Sequence, residues 1–109
     1  MNTMIYDIVE MANLEKRRFT VAEIEKIKSE ADVGTPIAEF KYGGILLKGL
    51  GIKPNKEEAL VYLARCKEHA SFDITRNLSY IYDELKMNKE SLECRKKSLK
   101  DYKDYLGLN

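Results

Sequence analysis

Apolar residues recur along the chain at the three- and four-residue intervals of amphipathic helices, and no segment alternates with the two-residue period of a strand. This pattern predicts six helices joined by short turns, at residues 3–16, 21–31, 36–48, 56–70, 72–86 and 89–106. Because short turns place consecutive helices side by side in opposite directions, the predicted fold class is an all-α array of antiparallel helices.

Capping signals indicate where several of these helices begin. Thr20 followed by Glu23 forms a capping box, and Phe19 with Ile24 fits the hydrophobic staple that accompanies such a box. Pro36 suits the first position of a helix, where its missing N–H would have no partner in any case. Short polar side chains are predicted to cap the other helix starts: Thr35, Asn55, Ser71 and Asn88.

The third and fourth predicted helices are repeated by the fifth and sixth. In the first helix of each pair the offset is 36 residues, which relates Ala38, Tyr42, Gly43 and Leu46 to Ile74, Leu78, Ser79 and Tyr82. In the second helix the offset is 32 residues, which relates Ala59, Leu60 and Cys66 to Ser91, Leu92 and Ser98. A two-helix period in the thirties is typical of a stacked helical solenoid.

The first copy combines small residues in its first helix with a glycine-rich loop that is predicted to stop this helix. The residues that carry the pattern are Ala31, Gly34, Ala38, Tyr42, Gly43, Leu46, Gly49, Gly51, Ile52, Glu58, Ala59 and Tyr62. The pattern resembles the Sel-one-like repeat, a relative of the tetratricopeptide repeat (TPR), and the second copy looks more like an ordinary TPR. The chain departs from these patterns at Lys53, in a loop where the family usually has aspartate, and at Arg95, where a large apolar residue is expected.

The resemblance implies a short right-handed α-solenoid of three helix pairs in a single domain. Residues 1–31 would form a diverged first pair, residues 35–70 a Sel-one-like unit, and residues 71–106 a TPR-like unit with the C-terminal capping helix. Small residues would let the paired helices approach closely. We expect this at Ala38, Gly43, Ala59, Cys66, Ser79, Ser91 and Ser98, with Leu46, Leu63, Leu78 and Tyr82 filling the remaining space.

Composition and charge narrow the classes of protein. The 109 residues are 44% hydrophobic and 34% charged with a net charge of +1, which is the balance of a soluble domain without the cation excess of a nucleic-acid binder. No apolar run approaches the roughly 20 residues of a membrane span, and the first residues lack the basic region and cleavage site of a signal peptide. Cys66 and Cys94 share no metal-ligand spacing with His69, so we expect reduced thiols and a cytoplasmic location.

No set of residues has the spacing of a catalytic or cofactor site. His69 is the single histidine, which disfavours a metal or general-base role. The acid pairs Glu57–Glu58 and Asp83–Glu84 lie among lysines on predicted helices, as is typical of solvated faces. The glycine-rich segment has no Gly-Lys-Ser/Thr run and no preceding strand, so it does not fit a phosphate-binding loop. We therefore expect no enzymatic activity, no cofactor and no metal.

The repeat implies a protein–protein interaction module that binds a peptide or helix in the concave groove of the solenoid. In TPR register the groove residues are Phe40, Leu47, Lys48, Asp73, Arg76, Tyr80, Asp83 and Glu84. Their mixture of apolar and acidic side chains predicts a partner with apolar anchors and a basic flank. An alternative interpretation places Phe40 and Leu47 in the core, covered by the first helix pair.

Two alternative functions stay open at this point. Because a three-unit solenoid leaves exposed ends, the chain could form a homodimer with a structural or regulatory role. Residues 19–43 also fit a helix-turn-helix of a nucleic-acid-binding regulator. This second alternative is disfavoured because residues 35–41 offer neither arginine nor asparagine to base edges.

Overall fold

The structure, a computed structural model, describes residues 18–108, which form five helices and contain no strand. The helices are α1 (Val21–Asp32), α2 (Pro36–Lys48), α3 (Lys56–His69), α4 (Phe72–Glu84) and α5 (Asn88–Leu106). The all-α prediction is confirmed for this part of the chain. The helix predicted at residues 3–16 lies outside the described residues, so the count of six helices stays a prediction.

Two of the predicted N-caps form the expected hydrogen bonds. The Thr20 hydroxyl accepts from the Glu23 N–H at 3.1 Å, and the Glu23 carboxylate accepts from the Thr20 N–H at 3.0 Å, which completes the capping box. The Asn55 side chain accepts from the Glu58 N–H at 3.0 Å at the start of α3. Each bond satisfies a donor of the first helical turn that would otherwise have no intrahelical partner.

The other predicted caps differ from expectation in part. Thr35 and Ser71 occupy the N-cap positions of α2 and α4 without forming side-chain capping bonds, and the Ser71 hydroxyl contacts the Asp73 carboxylate instead. The prediction of Asn88 as a cap is wrong, because Met87 is the N-cap and Asn88 is already helical. Helix α4 ends at Glu84, two residues before the predicted position 86.

Consecutive helices pack against each other as antiparallel neighbours in three cases: α1 with α2, α2 with α3, and α4 with α5. At the start of α2, the Pro36 carbonyl oxygen lies 3.4 Å from the Cys66 sulfur near the end of α3. At the start of α4, the Phe72 carbonyl accepts from the Ser98 hydroxyl of α5 at 2.7 Å. Helix α4 also contacts both α2 and α3, so the α4/α5 pair packs on the α2/α3 pair.

The small residues that were predicted at helix contacts are all buried: Ala38, Gly43, Ala59, Cys66, Ser79, Ser91 and Ser98. At Gly43, an added Cβ would lie 2.6 Å from Leu63 Cδ2 and 3.5 Å from the Ala59 carbonyl oxygen. The first distance is too short for van der Waals contact, and the second is an ordinary contact distance. Leu63 therefore occupies the space that a side chain at position 43 would need. The four larger residues predicted to fill the core are also buried: Leu46, Leu63, Leu78 and Tyr82.

The loop after α2 holds the segment that precedes α1. Gly49 ends α2 in the left-handed conformation, as predicted, with φ of 70°. The Phe19 N–H donates to the Leu50 carbonyl at 3.0 Å, and the Arg18 guanidinium donates to the Gly49 carbonyl at 2.8 Å. Gly51 has φ of 104°, and a Cβ there would overlap the Phe19 carbonyl. Glycine is therefore required at position 51 both by conformation and by space.

Within residues 18–108, none of the helices combines the length and the apolar character that crossing a membrane requires.

Candidate functional site

Two residues that were predicted to line the groove are buried in the structure. Phe40 is 1% exposed and Asp73 is 4% exposed, so neither offers surface to a partner. Phe40 belongs to the hydrophobic core because α2 is contacted by α1, α3 and α4. The Asp73 carboxylate accepts from the N–H of Ile74 at 3.0 Å within the first turn of α4. Leu47 is partly buried and packs against the core, so it keeps only part of its surface for contact.

The acidic rim predicted for the groove is paired with cations. Glu84 of α4 accepts from the Lys48 ammonium of α2 at 2.9 Å. The Asp83 carboxylate forms an ion pair with Arg95 of α5 and accepts from the Ser91 hydroxyl at 2.6 Å. A carboxylate that already has a cationic partner gives little attraction to a basic segment of another protein.

A surface groove runs between α4 and α5. Its volume is about 240 Å³, and it is lined by Phe72, Arg76, Arg95, Ser98, Leu99 and Tyr102. At one end the Phe72 ring meets the Tyr102 ring edge-on, with 5.1 Å between centroids, and the Tyr105 ring lies 5.6 Å away. Of the predicted groove residues, only Arg76 lines this cavity. Tyr80, 44% exposed, lies one helical turn further along α4.

One face of α5 carries a row of exposed apolar residues beside this groove. We call them the apolar row: Leu92, Leu99, Tyr102 and Leu106. They are spaced at i, i+7, i+10 and i+14, the interval of a helix face that packs against another helix. Their exposed fractions are 50%, 55%, 41% and 46%, so the face lacks a helical partner among the described residues.

The repeat relates this open face to a covered one. By the offsets of 36 and 32 residues, Arg76 corresponds to Phe40 and Arg95 corresponds to Leu63. Phe40 and Leu63 are 1% and 0% exposed in the α2/α3 pair, which receives α4. The Arg95 side chain is instead 51% exposed. The α4/α5 pair thus has arginines bordering a surface groove at positions where the α2/α3 pair has buried apolar residues.

One buried carboxylate was not predicted from the sequence. The Glu39 side chain of α2 is 2% exposed, and its Oε1 lies 3.0 Å from Nε2 of His69, whose side chain is 43% exposed. This oxygen has no hydrogen-bond partner among the described residues, and the contact is an ion pair only when the imidazole is protonated. The two residues are 30 positions apart, and no sequence signal connects them.

Two other titratable side chains, Asp32 and Cys94, have pKa values shifted by their surroundings. The Tyr62 hydroxyl donates to the Asp32 carboxylate at 2.5 Å, and this bond is the main reason why the pKa of Asp32 is lowered. Burial raises the pKa of the Cys94 thiol to about 11, so the thiol is protonated at neutral pH and a poor nucleophile. In residues 18–108, no group of three or more histidine, cysteine or carboxylate side chains could hold a metal ion.

Comparison of the chain with protein-family models, with curated proteins and with solved structures gave no significant match in any of the three. The resemblance to the Sel-one-like and tetratricopeptide families therefore stays a prediction from the residues themselves.

Proposed function

We propose that this chain is a non-enzymatic protein–protein interaction module that binds a helical segment at the open face of the α4/α5 pair. The observation that carries the proposal is the apolar row, four large residues that stay 41–55% exposed on one helix face. Exposed apolar surface of this kind marks interaction sites in soluble proteins, because a lone domain gains by burying it. The adjacent groove, with Phe72 at one end, would receive the side chains of the partner.

We also propose that the helix pairs are units of a short right-handed α-solenoid of the Sel-one-like or TPR kind. The burial of small residues at repeat-equivalent positions supports this arrangement, as does the packing of α4 on both α2 and α3. In a solenoid, each pair supplies the surface on which the next helix packs. The open face of α4/α5 would then be the last such surface. Two buried free cysteines, Cys66 and Cys94, fit a reducing compartment such as the cytoplasm.

The two alternative functions have unequal support. The apolar row also fits a homodimer, in which a second copy would cover the face. The helix-turn-helix interpretation of residues 19–43 needs α2 to project from the surface into a groove of DNA. Helix α2 instead buries Ala38, Glu39 and Phe40, so its N-terminal half offers little surface to a nucleic acid.

A quantitative pull-down from extract of the protein's own cells tests the proposed function. We expect the double variant Leu99→Ser, Tyr102→Ser to recover its specific partners about tenfold less well than the parent, because both side chains would lie at the centre of the contact. The matched control is Val21→Ser, Val61→Ser, which changes residues that are 69% and 48% exposed on α1 and α3. Equal recovery by the parent and the α5 variant would show that the apolar row is not the binding surface.

A further inference from the structure

A second row of residues runs along α5 beside the apolar row. Lys89, Lys96 and Lys103 are spaced by seven residues, as are Leu92, Leu99 and Leu106. At about 100° per residue, each lysine lies on the flank of the leucine row that faces away from the core. All three lysines are exposed, and none forms an ion pair with another described residue. We call Lys89, Lys96 and Lys103 the lysine row.

Most of the other charged residues of α5 differ from the lysine row in that they form ion pairs. Lys97 contacts Asp101 at 2.9 Å and Lys100 contacts Asp104 at 3.3 Å, each one turn away on the same helix. Glu93 lies 3.7 Å from Lys67 of α3. The paired carboxylates Glu93, Asp101 and Asp104 lie further around the helix, beyond the lysine row. The flank of the apolar row carries positive charge alone.

We propose that the occupant of the α4/α5 face is an acidic amphipathic helix of another protein, with a row of glutamate or aspartate residues opposite the lysine row. This inference rests on the proposed function and names its partner class. The sequence predicted a partner with a basic flank. We expect an acidic flank instead, because Asp83 and Glu84 are already paired with Arg95 and Lys48. Charged residues that flank an apolar helix contact set the choice of partner and its orientation.

A second copy of the chain fits this face less well. If two copies of α5 packed antiparallel about Leu99, Leu92 of each would meet Leu106 of the other, and Lys96 would face Lys103. Like charges in such flanking positions destabilise a helix pair and disfavour that pairing. Charge complementarity therefore selects an acidic partner over self-association.

The repeat also indicates the form of the apolar contact. Helix α4, which packs on α2 and α3, buries Ile74, Leu78 and Ile81 at the spacing i, i+4 and i+7. By analogy with α4, we expect the incoming helix to present apolar residues at the same spacing. This is the ordinary arrangement of an amphipathic helix bound in a groove.

The test is selection from a phage library of 21-residue helices. Every member carries leucine at the i, i+4 and i+7 positions of one face, and the flanking positions vary among glutamate, glutamine and lysine. The folded parent protein should enrich glutamate flanks. The triple variant Lys89→Glu, Lys96→Glu, Lys103→Glu should enrich lysine flanks instead. A control triple variant with the same charge change, Lys26→Glu, Lys53→Glu, Lys56→Glu, alters exposed lysines of α1, of the α2–α3 connection and of the first position of α3, and should select as the parent does.

Fluorescence anisotropy then measures the affinity of the enriched glutamate-flanked peptide. Replacing the lysine row by glutamate should weaken binding at least about tenfold, since three exposed ion pairs are lost. The difference should shrink in 0.5 M salt through screening of these pairs. Circular dichroism confirms that each variant is folded.

The possible results separate this inference from the proposed function. Helices that need Leu99 but show no charge preference would overturn the acidic partner while leaving the interaction surface in place. Enrichment of no helix would contradict the proposed function itself. A dimer in sedimentation that Leu99→Ser converts to monomers would assign the face to a second copy and overturn the inference.

Discussion

The α2/α3 and α4/α5 pairs follow the same sequence pattern but have different surroundings. The α2/α3 pair is contacted by both α1 and α4, and its residues Phe40 and Leu63 are buried. The α4/α5 pair contacts the rest of the described chain mainly through α4, and arginines stand at the two equivalent positions, 76 and 95. The difference teaches that two helix pairs with similar sequence patterns can present either a buried contact or an exposed face, depending on a few residues.

The contacts inside the two pairs also differ in kind. In α2/α3 the helices approach because Gly43 has no side chain and Leu63 takes the space. In α4/α5 the small residues are serines, whose hydroxyls bond across the pair: Ser91 to the Ser79 carbonyl at 3.1 Å, and Ser98 to the Phe72 carbonyl at 2.7 Å. A buried hydroxyl with a partner keeps its hydrogen bond, so the second pair packs closely with a more polar interface.

The largest expected effect contrasts one leucine from each pair. Leu63→Ala should lower the free energy of unfolding by about 2–5 kcal/mol, because Leu63 is fully buried and its removal leaves a cavity. Leu99→Ala should change it by less than about 0.5 kcal/mol, because Leu99 is 55% exposed. Urea unfolding followed by circular dichroism measures both. Similar losses for the two variants would mean that α5 is covered in the folded chain.

A smaller effect is expected from overpacking the first pair. Gly43→Leu should destabilise the protein by about 1–3 kcal/mol, because Leu63 already occupies the space beside position 43. Ala59→Leu should act in the same direction, since Ala59 is fully buried at the same contact. Ala22→Leu on the exposed face of α1 is the control.

Thermal melting of a double variant sharpens this prediction. In a Leu63→Ala background, the change Gly43→Ala should be nearly neutral or stabilising, because the new methyl group enters the space that Leu63 has left. If Gly43→Ala costs the same in both backgrounds, the contact between positions 43 and 63 does not limit the approach of α2 and α3.

The smallest expected effect concerns Cys94, which lies in α5 at the position equivalent to Tyr62 of α3. Burial raises the pKa of the Cys94 thiol from 9.0 to about 11 in the folded state. The unfolded chain therefore loses this proton first as pH rises. The contribution of the protonated thiol to the free energy of unfolding is complete below pH 9. It is lost as the pH rises toward 11, and about 1 kcal/mol of it is gone at pH 10.

Urea unfolding at pH 8 and pH 10 measures this loss. The variant Cys94→Ser should lose about 1 kcal/mol less than the parent between these two pH values, because a serine hydroxyl does not titrate in this range. An identical pH dependence in parent and variant would show that other groups, such as the buried Tyr82, account for the whole alkaline effect.

Local signals in the sequence predicted much of the fold. The capping box at Thr20 and Glu23, and the Asn55 cap, depend only on residues within one turn, so their prediction needed no knowledge of the packing. The small residues were predicted from the repeat, and their burial follows from the close approach of paired helices. Met87 carries no side-chain capping signal, so the start of α5 was misplaced by one residue.

The candidate site was harder to predict because it depends on which helices cover which faces. Phe40 and Arg76 hold equivalent positions in the repeat, but one is buried and the other borders a groove. The pairing of Asp83 with Arg95 crosses from one helix to the next, and the contact of Glu39 with His69 joins residues 30 positions apart. Such contacts follow from the relative placement of helices, which no local pattern specifies.

The close approach of Phe19 to the loop at residues 49–51 has a consequence for unfolding. The Phe19 amide bonds to the Leu50 carbonyl, and Gly51 leaves no space between the two segments. Because α1 cannot separate from α2 without breaking this contact, the amide hydrogen of Phe19 should exchange with solvent in the same cooperative opening as those of central α2. The last turn of α5, where Tyr105 is 75% exposed, has no such tether and should exchange by local fraying.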